Sequence, residues 1–365
     1  MRNKFLLITC ICVICLMQSS CHVARYFIYN YADVNDYKKS PQVPVKSGTN
    51  KFQFYSSPTA KIPQYIDTYG TLNNNSFNDF LMKSGTLAFV VIRNDSILYE
   101  HYKEGYDSTS IFTSFSANKS VVSALMGIAI SEGYIANEYE PVTKYVPELN
   151  SQLSDIRIID LLNMRSGLAF NESYKSPFAD VAKYYYGRNL LKYVSKLKAK
   201  YPPDKKFEYI SVNTLLLSLS IEHSTGMPLN KFLEQKLWIP MGMQFDATMN
   251  VDSRKHHTIK GFCGLNARAL DYAKFGRLYL NNGDWNGKQL IPKEWIYKSL
   301  NSKANAGSTK PFTYSYQWRV LPSGAFWAQG LLGQFVYCNP TKNLIIVRLG
   351  KHYDNYNWIQ LFGNF

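Results

Sequence analysis

The sequence predicts an α+β protein in which the two ends of the chain build one antiparallel sheet and the middle supplies helices. Three observations carry this. Two β-rich runs, Thr86–Ile92 and Ile97–Tyr102, flank the turn residues Arg93-Asn-Asp-Ser96 and read as a hairpin. Further β-rich runs, Thr313–Leu321, Ala325–Ala328, Gln334–Cys338 and Leu344–Leu349, lie near the far end with turn residues between most of them. Between about 118 and 300 the apolar residues recur mostly at helical spacing, which predicts helices packed on the sheet plus a separate helical lobe.

The 365 residues are enough for a large core, and 46% apolar with 18% charged residues is a globular composition. Residues 1–21 read as an export signal: Arg2 and Lys4, then Phe5 to Met17 without a charge, a run shorter than the roughly 20 residues that span a bilayer. The small residues before Cys21 resemble a bacterial lipoprotein processing site, with Cys21 as the lipidation candidate; simple secretion and an uncleaved signal-anchor are the alternatives. Either way the protein is expected to be exported, periplasmic or at the cell envelope. Residues 22–84 read as an extended lead with a polar Asn73-Asn74-Asn75 bridge and a short helix around Asn78–Lys83, and residues 85–365 as the main domain.

Cysteine usage and charge exclude several classes. Cys10, Cys12, Cys15 and Cys21 belong to the signal, leaving Cys263 and Cys338 as expected buried thiols rather than a disulfide framework. No cluster of Cys or His stands at metal-ligand spacing, so neither metal nor cofactor is expected. The formal net charge of +15 comes without a helix-turn-helix, RNA-binding signature or zinc finger, so an anionic cell envelope is the expected partner surface and nucleic acid is not.

The chemistry is concentrated in Ser116-Ala-Asn-Lys119. Val121, Val122, Leu125, Ile128 and Ile130 follow at helical spacing, predicting a helix from near Ser116 that puts Ser116 and Lys119 on one face. A serine hydroxyl is a weak nucleophile until a neighbouring base takes its proton, and a neutral Lys119 is such a base. Ser195-Lys-Leu-Lys198 has the same pattern, but it lies among Lys192, Lys196, Lys200, Lys205 and Lys206 and reads as a solvated face. A second constellation, Tyr209-Ile-Ser211-Val-Asn213, opens another apolar helix.

Ser116-x-x-Lys119 followed by Tyr209-x-Ser211 resembles the first two motifs of class C β-lactamases and their relatives: DD-peptidases, β-lactamase-like esterases and aminohexanoate-dimer hydrolases. Ile159–Leu168, Gly226–Leu229, Leu237–Met243, Ala267–Gly276 and Asn281–Gly287 resemble further segments of that family in the same order. At the third motif, where relatives carry Lys-Thr-Gly or His-x-Gly, this chain has Ala328-Gln329-Gly330. The missing lysine weakens recognition of a β-lactam or peptide carboxylate.

The resemblance implies a β-lactamase/transpeptidase-like fold and a serine hydrolase acting on an ester, amide or peptide. Ser116 is the implied nucleophile, with Lys119 and Tyr209 as general base and acid. The backbone N–H groups of Ser116 and Leu331 would form the oxyanion hole, and Ser211 would hydrogen-bond Lys119 or substrate. Gln329, Gly330 and Gln334 fall on the substrate side, Gln334 serving equally well to satisfy a strand end. A peptidoglycan DD-peptidase is the second reading, and a catalytically silent envelope-binding protein the third. Tyr184-Tyr185-Tyr186 reads as core or loop packing, ahead of a border of the pocket that holds substrate. A Ser-His-Asp triad through His256, His257 or His352 is disfavoured because no Gly-x-Ser-x-Gly turn occurs.

Overall fold

The hairpin near Thr86 lies toward one edge of the main sheet. The structure, a computed structural model, describes residues 21–29, 31–56, 77–301, 307–309, 311–353 and 356–365. Residues 1–20 of the expected signal and the Asn73–Asn75 bridge lie outside these. Strands β3 (Thr86–Arg93) and β4 (Ser96–Tyr102) pair antiparallel. Asn94 and Asp95 between them both take positive φ, 51° and 60°, the turn whose twist matches that of the strands it joins.

The other edge of β3 pairs antiparallel with β15 (Leu344–Gly350), so the two ends of the domain meet in one sheet. From β15 the sheet continues through β14 (Gln334–Asn339), β13 (Phe326–Gly330), β12 (Trp318–Val320), β11 (Phe312–Ser315) and β10 (Gly307–Thr309). Beyond β4 lies β2 (Tyr55–Ser56), which pairs in parallel.

Alternate residues of β3 enter two different cores. Ala88, Val90 and Ile92 join the large core shared with the helical region, while Phe89 and Val91 join a smaller one with Phe77, Trp358 and Phe362. A strand covered on both faces is apolar throughout rather than alternating. The helices α1 (Cys21–Tyr29) and α2 (Phe77–Lys83) come before it, and α2 packs on β3.

The middle of the chain holds α3 (Asn118–Ser131), α4 (Ile158–Leu162), α5 (Asp180–Tyr186), α6 (Leu190–Val194), α7 (Val212–Thr225), α8 (Leu229–Leu233), α9 (Ala269–Leu280) and α10 (Lys293–Asn301); α11 (Trp358–Gly363) ends the chain. Residues 118–129 of α3 and 212–221 of α7 are all buried, and the two helices pack together. Helix α9 packs on β14 and β15. The α+β expectation, one sheet built from both ends of the domain with helices packed on it, therefore holds.

The helical middle is less purely helical than its periodicity implies. A second, four-stranded sheet joins β1 (Gln42–Val45), β6 (Ala247–Asn250), β7 (Leu265–Ala267) and β5 (Phe112–Thr113), and a small hairpin joins β8 (Asp284–Trp285) to β9 (Lys288–Gln289). Strands of two to four residues are too short to show a period. Ser195 caps the short α6 as an exposed residue, and Lys196, Lys198, Lys200, Lys205 and Lys206 are exposed with it. Cys263 and Cys338 are buried free thiols. No helix among the described residues is long and apolar enough to cross a membrane.

Arg348, fully buried on β15, ties the sheet together. Its guanidinium donates to Thr86 Oγ1 (3.0 Å), Ser84 O (2.8 Å), Gly333 O (2.7 Å) and His352 O (3.2 Å), and it lies 3.7 Å from the ring centre of Trp358. Arg348→Leu strands these buried acceptors, each costing roughly 1–3 kcal/mol. A loss of at least about 3 kcal/mol in urea unfolding is expected; a loss below about 1 kcal/mol would contradict the role.

Candidate active site

Strand β5 delivers the chain to Ser116. Its edge is fixed by pairing with β7 and by Tyr272 Oη, which donates to Phe112 O (2.9 Å). Ser114 then donates to Leu265 O through both its N–H (2.9 Å) and its hydroxyl (2.8 Å). Phe115 takes φ 44°, a conformation that bulky residues adopt only where the surroundings impose it. Ser116 follows inside the 3-10 turn Phe115–Ala117, and α3 starts at Asn118. One turn into that combined element is Lys119.

Gly330 at the end of β13 packs against this turn. A Cβ built on it would lie 2.1 Å from Ser114 O and 3.1 Å from the Phe115 Cβ, so the close approach requires glycine. The chain then enters the turn Leu331–Gly333, with Leu332 and Gly333 at positive φ and Gly333 O held by Arg348. Ala328, two residues earlier, is buried in the large core and extends no group toward a substrate.

Lys119 is only 1% exposed. Its Nζ donates to Phe262 O (2.9 Å) and Ser211 Oγ (3.2 Å) and lies 5.4 Å from the ring centre of Tyr209. Asn118 Nδ2 adds a bond to Gly261 O (2.6 Å), so two successive residues of α3 grip the same loop. Ser211 passes the network on: its hydroxyl donates to Glu172 Oε1 (2.5 Å) and its N–H to Glu172 Oε2 (2.8 Å), while Tyr174 Oη donates to Glu172 Oε1 (2.7 Å). Tyr209 is half-buried, its ring edge-on to Tyr314 (5.8 Å) with the Arg319 guanidinium 5.6 Å from its centre.

Ser116, Ser211 and Leu331 line one cavity of about 300 Å³, together with Tyr26, Tyr31, Phe115, Phe262 and Leu332 among others. The structure thus brings together Ser116, Lys119, Tyr209, Ser211, Gly330 and Leu331. Two expectations change. Gln334 is 2% exposed, its amide donating to Gly350 O (2.7 Å) and Leu331 O (3.0 Å) and accepting from Gly350 N (3.3 Å); it closes a strand end and does not face substrate. Tyr185 and Tyr186, expected to pack, line the cavity, whereas Tyr184 is core. Gln329 accepts from Trp327 Nε1 (3.1 Å) and lies outside this lining.

Glu172 and Tyr174 were not legible beforehand. They sit in a polar loop with no period or motif, and only the bonds of Glu172 to Ser211 and of Tyr174 to Glu172 identify them. His256 and His257 are exposed. Among the described residues no group of three His, Cys, Asp or Glu could hold a metal ion.

The Beta-lactamase family model matches residues 80–355. The 6-aminohexanoate-dimer hydrolase of Paenarthrobacter ureafaciens is 27% identical over 296 residues, covering 75% of this chain and 74% of that protein. Among solved structures, a "Putative 6-aminohexanoate-dimer hydrolase from Bacillus anthracis" superposes with a TM-score of 0.80 at 24% identity, covering 93% and 92% of the two chains. A class C beta-lactamase superposes with a TM-score of 0.59 at 14% identity over 78% of this chain and 91% of that one.

Gly330→Ala tests the geometry. The added methyl has to push β13 away from the Ser114–Ser116 turn, and a displacement of about 1 Å at a reacting group is worth about 10²-fold. Labelling of Ser116 by a fluorophosphonate is expected to slow by that order while circular dichroism stays unchanged. Labelling at the wild-type rate would show that the approach is not needed.

Proposed function

The chain belongs to the Beta-lactamase family and is a hydrolase, and from that premise we propose that it cleaves an ester or amide through an acyl-enzyme on Ser116. The observation that carries this reading is the buried Lys119 amine one turn after a serine that opens onto a cavity.

In the first half-reaction Ser116 Oγ bonds to the substrate carbonyl carbon, and its proton passes to Lys119, Tyr209 or the pair sharing it. The carbonyl oxygen becomes an oxyanion, stabilised by the N–H groups of Ser116 and Leu331; removing one such donor costs about 3–4 kcal/mol in comparable sites. The tetrahedral species then collapses. The bond to the alcohol or amine breaks, and the stored proton goes to that leaving group. In the second half-reaction water adds to the acyl carbon, gives its proton to the same pair, and the acid departs as Ser116 regains its hydrogen. The Ser211–Glu172 bonds hold the Lys119 end of this machinery in place.

The cavity lining favours an apolar acyl group, since aromatic and aliphatic residues dominate it. The absence of a cation at Ala328-Gln329-Gly330 favours an ester or simple amide over a DD-peptidase substrate. Residues 1–21 support action at the cell envelope, with Cys21 as the proposed point of lipid attachment.

A p-nitrophenyl ester series tests the proposal. Turnover of short to medium acyl chains is expected, with kcat/KM falling at least about 10³-fold in Ser116→Ala and about 10²–10⁴-fold in Lys119→Met. Retained turnover in Ser116→Ala would refute the assignment.

A further inference from the structure

A second and larger cavity, about 670 Å³, lies across Tyr185, Tyr186 and Cys263 from the catalytic one, those three residues lining both. Its walls come from the lead segment around α1, from the Gly187–Arg188 turn and from the 250–263 loop. Seven lysine and arginine side chains line it against two carboxylates, Asp36 and Asp252.

Both carboxylates are already engaged, and two cannot offset seven cations. Asp36 is engaged by Lys39 at 2.5 Å and by Tyr185 Oη at 3.0 Å, and Asp252 accepts from Leu190 N (2.9 Å) and Thr258 N (3.1 Å). Lys260 is the decisive residue. It is 4% exposed, and its Nζ donates to two neutral acceptors, Tyr185 O (2.7 Å) and Ser40 Oγ (3.1 Å). A buried cation is costly without an opposite charge, and burial accordingly pushes the Lys260 amine below its ordinary range. Arg25, 9% exposed, also lines the cavity, while Arg188, Arg254 and Lys255 form an exposed rim.

We propose that this cavity is a binding site for a multiply charged anion, a molecule bearing clustered phosphate or carboxylate groups, held by Lys260 from within and by Arg188, Arg254 and Lys255 at the rim. Guanidinium groups match the geometry of phosphate and carboxylate oxygens, and the anion adds a counter-charge in direct contact with Lys260, on which Asp252 and Asp36 act only from beyond ion-pair distance. The shared Tyr185–Tyr186 wall makes it a neighbour of the catalytic cavity, but binding here requires no chemistry at Ser116.

Isothermal titration of the full chain with inorganic pyrophosphate and with citrate at about 0.15 M salt, where long-range attraction is largely screened, tests this. Saturable binding to one site is expected, weakened at least about tenfold in Lys260→Met and in the exposed triple variant Arg188→Gln/Arg254→Gln/Lys255→Gln. The triple variant leaves the core untouched and keeps the inference testable should Lys260→Met fail to fold. Tighter binding of pyrophosphate identifies a phosphate-bearing ligand, and tighter binding of citrate a polycarboxylate. Absence of saturable binding to both, or equal weakening by Lys200→Gln/Lys206→Gln outside the cavity, would overturn the proposal.

Discussion

The arrangement depends on the burial of a single amine. Lys119 is withdrawn from water, and it remains so because Phe262 O and Ser211 Oγ accept its protons in place of solvent. A buried amine without such partners is costly, so the two acceptors and the helix that carries Lys119 are mutually required. One comes from the loop before β7 and the other from the residue that precedes α7. Three segments distant in sequence are thereby joined at the Lys119 amine, one turn after Ser116.

The sheet supplies the opposite wall. Because β3 pairs with β15, the beginning and end of the domain form one rigid layer, and β13 runs in that layer to its contact with the Ser114–Ser116 turn. Arg348 connects the layer to the turn after Leu331 through Gly333 O, and Gln334 closes the same strand end. The positive φ of Phe115 is sustained by this enclosure: β5 and Tyr272 hold it on one side and Gly330 on the other.

Much of this could be read from the residues. The hairpin was visible because Asn94 and Asp95 suit a positive-φ turn between two β-rich runs, and the Ser116–Lys119 pair because helical spacing fixes its face. Other parts were hidden for physical reasons. Strands β1, β5, β6 and β7 have two to four residues each and exist only through long-range pairing. Glu172 acts through hydrogen bonds to Ser211, which no local pattern announces. For Gln334 and Tyr185 the residues left substrate contact and packing both open, because alternation along a strand or helix gives the face of a side chain but not what lies opposite it. The cationic cavity was equally hidden, since its walls join the lead segment to loops far along the chain.

In the proposed reaction an acyl group resides covalently on Ser116 during turnover. Rapid quenching of the protein with a p-nitrophenyl ester, followed by proteolysis and mass spectrometry, reads that directly. The acyl mass is expected on the peptide containing Ser116, appearing before steady state. Turnover without any acylated peptide, or with the acyl group on a different residue, would contradict the account.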